Sequence, residues 1–234
     1  MGVLGSILAG ANALLRPTGF ALSRISRHKD FMLYEYVRPD GTFDYQKYKT
    51  IQTRGNVTKL DLVFVDEANI DFLAQTLKNR LPKIKFGICH GTRRGLEQKW
   101  FSERLGCAVI GTEISDTAMQ FPNTICWDFH EVKPEWIASV DFIYSNSFDH
   151  SYDPEKCLTA WMSCLSPGGI CIIEHTDLHG RKEANELDPF GVELTMFSYV
   201  IANWSKGRYG VSEILEAPSK KFANGHFILL KNFS

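Results

Sequence analysis

The chain has no excess of charge of either sign, no Cys-x-x-Cys pair, no Gly-x-Gly-x-x-Gly turn and no apolar run long enough to cross a bilayer. With 26 basic against 27 acidic residues, the net charge of −1 lacks the electrostatic footprint of a nucleic-acid binder, so neither DNA nor RNA is expected as a partner. Six cysteines, Cys89, Cys107, Cys126, Cys157, Cys164 and Cys171, sit mostly in apolar runs without ligand spacing. They are expected as buried, reduced thiols of a cytoplasmic protein, and no metal centre is expected. The stretch from Val3 to Leu15 is too short and too rich in Gly and Ala to span a membrane, and no basic region precedes it. A secretory signal is therefore not expected.

The N-terminus is organised in another way. Leu14, Leu15, Phe20, Leu22 and Ile25 alternate with Arg16, Arg24, Arg27, His28 and Lys29, broken at Pro17 and Gly19. Such a basic amphipathic segment either packs on the domain or a second copy of it, or makes peripheral membrane contact through residues 1–29. Oligomeric state stays open. The opening "MGVLGS" also fits a short N-myristoylation pattern. Residues 31–60 are aromatic and polar, with a turn at Pro39-Asp40-Gly41, and read as a lid or a connecting arm. The expected division is therefore an N-terminal helix and arm at 1–60 and a catalytic domain at 61–234.

From there the chain alternates. "FVDEANIDFLAQTLKNRLP" reads as a helix capped by Asp66 or Asn69 and stopped before Pro82. "KIKFGICH", "CAVIGTEIS", "NTICWDFH", "VDFIYSNSF" and "ICIIEHT" read as strands, and "GLEQKWFSERLG" and "PEKCLTAWMSCLSPGG" as helices between them, with "KPEWIASV" a connection. Then come a helix in "GVELTMFSYVIANWSKG" and two strands, "YGVSEILEAP" and "GHFILLKN", joined as a hairpin. Short buried strands linked by helical crossovers make a doubly wound, mostly parallel α/β sheet with helices on both faces. The hairpin is its one expected antiparallel element.

Five parallel strands, a helix and a closing hairpin form a chain order that resembles the class I S-adenosylmethionine-dependent methyltransferases over about residues 82–233. The resemblance implies a Rossmann-like, seven-stranded sheet, S-adenosyl-L-methionine as cofactor and methyl transfer as the activity. It implies a site at the strands' carboxyl ends, near the topological switch point. In "KFGICHGTRRGLEQKW", Gly87, Gly91 and Gly95 allow close backbone approach, and Cys89, His90 and Arg93 stand beside the cofactor, although the family's acid and Gly-x-Gly-x-Gly are missing here. Arg93 and Arg94 suit a carboxylate or phosphate.

Glu113 closes the second strand, where the family's acid accepts both ribose hydroxyls, with Ile114 next to it; its bland alternative is an acid near a helix start. Asp128 takes the adenine-amino position, and Trp127 or Phe129 packs on the base. The resemblance implies that Ser145, Asn146 and Ser147 would line the cofactor at its methyl end and that Asp149, His150 and Tyr152 would face the acceptor. His150 is the first choice of general base, oriented by Asp149 or Asp153; His175 is the second, and His130 and His179 follow. Glu174, Asp177 and Asp149 are the acids that could hold Mg²⁺ as in catechol-type members, but they lack the family's spacing.

The Asn/Asp-Pro-Pro-Tyr/Phe motif of adenine and glutamine methylation is absent. The acceptor is therefore expected to be the oxygen or nitrogen of a small-molecule, glycan or lipid-linked compound. Two alternatives remain: a binding or scaffold protein on a degenerate version of the fold, and a nicotinamide-dependent Rossmann enzyme, which the missing glycine fingerprint disfavours.

Overall fold

The computed structural model describes residues 30–221 and 223–233 and, before them, 7, 10–12, 14–18 and 25–28. The "MGVLGS" pattern and part of the basic amphipathic stretch, including Phe20, Leu22, Arg24 and Lys29, lie outside the described residues. Among the described residues no helix is long and apolar enough to cross a membrane.

Among the described residues, five helices of ten or more residues pack around two sheets. They are α1 (Tyr45–Thr58), α2 (Glu67–Arg80), α3 (Leu96–Leu105), α4 (Pro154–Cys164) and α5 (Leu194–Ser205). Asp44, Asp66 and Asp153 cap α1, α2 and α4 by accepting a backbone N–H two or three residues on, and Pro154 at the first position of α4 needs no such partner. The strands are β1 (Ile25–Arg27), β2 (Phe31–Tyr34), β3 (Phe86–His90), β4 (Ala108–Glu113), β5 (Thr124–Cys126), β6 (Val140–Ser145), β7 (Leu165–Thr176), β8 (Phe190–Val192), β9 (Tyr209–Glu216) and β10 (Gly225–Asn232).

The main sheet runs β5-β4-β3-β6-β7-β10-β9. Pairings among β3 to β7 are parallel, and β10 enters antiparallel between β7 and β9. The seven-stranded, doubly wound sheet with its closing hairpin is thus as expected. The chain winds outward from β3 to β5 and returns to β6 on the other side of β3. That reversal opens a crevice above the carboxyl ends of β3 and β6, where open parallel sheets hold their ligands.

Period-two alternation feeds two cores. Ile88, Ile143, Cys171, Ile173, Ile228 and Leu230 pack with Trp161 of α4 and Ile201 of α5. Their neighbours Cys89, Phe142, Ile172, Phe227 and Leu229 turn to the opposite layer, with Leu73 of α2 and Phe101 of α3.

Several boundaries differ from expectation. The third strand stops at Cys126, because Asp128 accepts the backbone N–H of His130 and folds the chain into a turn. The stretch before β6 is a connection, as expected, with a 3-10 turn at Pro134–Trp136. The stretch from Leu165 to Gly169 continues β7 instead of α4, and Phe190–Val192 is a strand ahead of α5. The hairpin is not the one antiparallel element, since β2 pairs antiparallel with both β1 and β8 in a small second sheet. Residues 45–58, read as part of an arm, are a 14-residue helix.

Candidate functional site

The turn after β3 is drawn tightly against its neighbours. The N–H groups of Gly91 and Thr92 both donate to the Thr112 carbonyl, at 2.9 and 3.1 Å, and the Ser145 hydroxyl donates to the His90 carbonyl at 3.0 Å. Gly91 has φ +73, and a Cβ there would lie 2.7 Å from Ser147 Cβ, so only glycine lets this backbone meet the loop after β6. Arg93, also at positive φ, donates its N–H to Glu113 Oε2 at 3.2 Å. The Ser115 N–H donates to Oε1 at 3.0 Å. One carboxylate at the end of β4 therefore fastens two loops, and each oxygen keeps a further lone pair. Burial pushes the Glu113 carboxyl up from the usual range, against the pull of those two N–H donors.

These groups line one continuous groove. Its inner end, about 60 Å³, is walled by Glu113, Ile114, Trp127, Phe129, Gln52 and Asn56. Its outer end, about 220 Å³, is walled by Glu97, Asn146, Asp149, Glu174, His179 and Asp188. Gly91, Arg93, Ser147, His150 and Lys59 border both. Helix α1 roofs the inner end because Tyr48, Gln52 and Asn56, one turn apart, form its buried stripe. The stripe is polar, which hides the helix from a search for apolar periodicity.

The outer end concentrates buried acid. Glu97, in the first turn of α3, is pushed up to about 8 by burial, opposed by Arg93 and reinforced by Glu174 and Glu113. Glu174, at the end of β7, is raised by burial too, against hydrogen bonds from Tyr144 and Asn69. The folded chain keeps a proton on Glu97 that the unfolded chain releases above its ordinary value of 4.5. The resulting stability is complete below that value and is lost as pH rises towards 8, by on the order of 1 kcal/mol per pH unit. Glu97→Gln is expected to flatten the fall in unfolding midpoint between pH 5 and 8, measured by thermal denaturation; an unchanged slope would place the titration elsewhere.

The structure brings Gly91, Arg93, Glu113, Ile114, Phe129, Asn146, Ser147, Asp149 and His150 to the groove. It turns others away. Gly87 sits three residues before the end of β3, roughly 10 Å back, and a Cβ there would collide with the Phe142 ring at 2.2 Å, so this glycine serves sheet packing. The Cys89 side chain is in one core. His90 enters the other, stacked on Trp161 at 4.7 Å and bonded through Nδ1 to Thr112 Oγ1, and burial lowers its pKa to about 3. Any part these two play at the cofactor is confined to their backbone.

Asp128 turns to His130, whose Nδ1 is 2.7 Å from Oδ1 and whose Nε2 meets the Ser151 hydroxyl at 2.8 Å. That buried relay holds the loop in place, and it is the neighbours of Asp128, Trp127 and Phe129, that reach the groove. His175 lies within β7 opposite His226. Its ring is buried against Phe197 and His179, and burial lowers its pKa to about 4, so at neutral pH it is a weak base away from the groove. Gln52, Asn56, Glu97 and Asn69 were not anticipated. Of these only Glu97, following a glycine turn, had a visible signal.

Residues 88–173 match a family model described as a methyltransferase domain. No curated protein sequence matches the chain. Among solved structures, the chain is similar to the 1,6-didemethyltoxoflavin-N1-methyltransferase of Burkholderia thailandensis, crystallised with 1,6-didemethyltoxoflavin and S-adenosylhomocysteine. The TM-score is 0.63 at 15% identity, over 90% of this chain and 99% of that one. It is also similar to the plantazolicin methyltransferase BpumL in complex with S-adenosylhomocysteine, at 0.60 and 15%, over 80% and 95%. A TehB-like S-adenosylmethionine-dependent methyltransferase of Corynebacterium glutamicum gives 0.51 and 16%, over 80% and 98%. The strand order and the matched central residues together make this a protein of the class I methyltransferase fold, carrying a methyltransferase domain.

Proposed function

We propose that this methyltransferase domain uses S-adenosyl-L-methionine and methylates an oxygen or nitrogen of a small-molecule acceptor, glycan or lipid-linked compounds being the larger members of that class. The observation that carries the reading is the pairing of Gly91 with Glu113. A cradle that a Cβ would fill lies beside a buried acid with spare lone pairs, at the ends of adjacent parallel strands. The groove's residues fit the cofactor along its length. Glu113 would accept from the ribose hydroxyls, and Ile114, Trp127 and Phe129 would pack on the base. The Arg93 Nε, buried and without a partner, would meet a carboxylate, and the acids Glu97 and Glu174 an ammonium group.

When bound, the cofactor supplies a methyl group made electrophilic by its sulfonium. The chain's own part is to hold the acceptor atom in line, about 3 Å from that carbon, and to keep water away. Ser147 and His150 border both ends of the groove, and Asn146 and Asp149 line its outer end, where an acceptor would enter. Calorimetry with S-adenosylhomocysteine, S-adenosylmethionine and NAD tests the reading. Saturable binding of both adenosyl compounds and none of NAD is expected. Binding of NAD in their place would transfer the groove to nicotinamide chemistry, and binding of none would leave a scaffold on this fold.

A further inference from the structure

Among the described residues, one group of metal-ligating side chains converges. Asp149, His150 and Asp188 each offer an atom within 4.8 Å of the others, and all three line the outer end of the groove. Acidic clusters are common without ions, so the weight falls on two further features.

The first is Asp149 Oδ1, which is buried without a hydrogen-bond partner in a residue only 7% exposed. A buried carboxylate oxygen with no donor carries an unrelieved desolvation cost. The other oxygen of that carboxylate stands 3.8 Å from His179 Nε2, within ion-pair range.

The second is the tautomer of His150. Gln52, itself buried, directs its amide Nε2 to the Leu187 carbonyl at 2.8 Å, which can only accept. Its Oε1 is thereby turned to His150 Nδ1 at 2.9 Å, and that nitrogen must carry the hydrogen. His150 Nε2 then faces Asp188 Oδ1 at 3.6 Å. This is too long for a hydrogen bond from an imidazolium. For a neutral ring it sets two lone pairs face to face. The separation does match the bite of a metal ion: two ligands at about 2.1 Å in tetrahedral geometry stand about 3.4 Å apart. An imidazole that donates its far N–H to a carbonyl oxygen is also the usual support of a metal-ligating histidine.

We propose that Asp149, His150 and Asp188 form a divalent transition-metal site at the acceptor end of the groove. One nitrogen and two carboxylate ligands suit Zn²⁺ or Mn²⁺, and three protein ligands leave positions open towards the groove for an acceptor oxygen. His150 then serves as a ligand, and an acceptor hydroxyl bound at the ion is acidified without a separate base. Binding of the ion stands on geometry alone; its use in methyl transfer rests on the function proposed above.

The test is calorimetric titration of the full chain, freed of metal by EDTA and dialysis, with Mn²⁺ and with Zn²⁺. One saturable site per chain is expected, weakened at least tenfold by Asp188→Asn and by His150→Gln. Asp188 is part-exposed, so its replacement is expected to leave the unfolding midpoint in chelator unchanged, which separates loss of a ligand from loss of the fold. S-adenosylhomocysteine titrated into the parent in chelator reads the cofactor site without any ion, so failure of the cofactor reading and failure of the metal site are read separately. The proposal is overturned if neither ion saturates a site, or if both variants bind as the parent does. It is equally overturned if the His150 ring proton resonances are the same with and without ion.

Discussion

Glu113→Gln is expected to weaken S-adenosylhomocysteine binding by about a hundredfold or more, measured by calorimetry, while the ligand-free protein still unfolds cooperatively. The acid at the end of β4 both fastens the turn after β3 and faces the groove's inner end. Hydrogen bonds to a charged acceptor contribute about 1.5–3 kcal/mol each, and two of them to a pair of ribose hydroxyls exceed the roughly 2.7 kcal/mol that separates a hundredfold change in affinity. The carboxamide keeps one acceptor oxygen but sets an NH₂ against a backbone N–H, of either Arg93 or Ser115. One loop is released whichever way the amide turns. Stability without ligand suffers less, because burial already opposes the charge on this carboxyl and its removal relieves that cost. A Gln variant that bound within threefold of the parent would remove Glu113 from the cofactor site.

Why was this acid visible in the sequence when much of its setting was not? Strands buried on both faces read as short β-rich runs, and their alternation with helices leaves few topologies to choose among. An acid closing such a run stands at the carboxyl edge whatever surrounds it, so Glu113 could be placed from order alone. Side-chain direction is a finer matter. In "FGICH" the alternation of period two sends Cys89 and His90 into opposite cores, and which of the two would turn to the ligand depends on a register that composition does not set. Gly87 had the same ambiguity, since a glycine that makes room for a ligand and one that makes room for a Phe142 ring are identical letters.

The roof of the groove was hidden for another reason. Helix α1 buries Tyr48, Gln52 and Asn56 towards polar partners, with Gln52 on Leu187 and His150 and Asn56 on Thr117. Such a stripe has the helical period in its polar residues, where a hydrophobic pattern carries no signal. Its partners lie more than sixty residues away in sequence, so their convergence belongs to the tertiary fold. Asp128 shows the intermediate case: its position was legible, but its bond to His130 two residues on competes locally for the same carboxylate.

Gly91→Ala carries the second large expected effect, on stability and binding together. Alanine at φ +73 costs about 1–2 kcal/mol for the left-handed backbone. Its Cβ would also stand 2.7 Å from Ser147 Cβ, far inside van der Waals contact. Overpacking of that kind costs about 1–3 kcal/mol, so the two together amount to roughly 2–5 kcal/mol in a denaturant titration. Relaxation would push the turn away from β6 and open the groove at the point where its two ends meet, and S-adenosylhomocysteine affinity is expected to fall at least tenfold. Ser147→Gly separates the two causes. It removes the colliding Cβ but leaves the backbone cost, so the double variant is expected to recover the overpacking share and keep the conformational one. A double-mutant cycle reads that recovery as a coupling of about 1–3 kcal/mol. Strict additivity would mean that the turn after β3 is not wedged against the loop after β6, and the close approach that makes Gly91 a cofactor cradle would lose its physical basis.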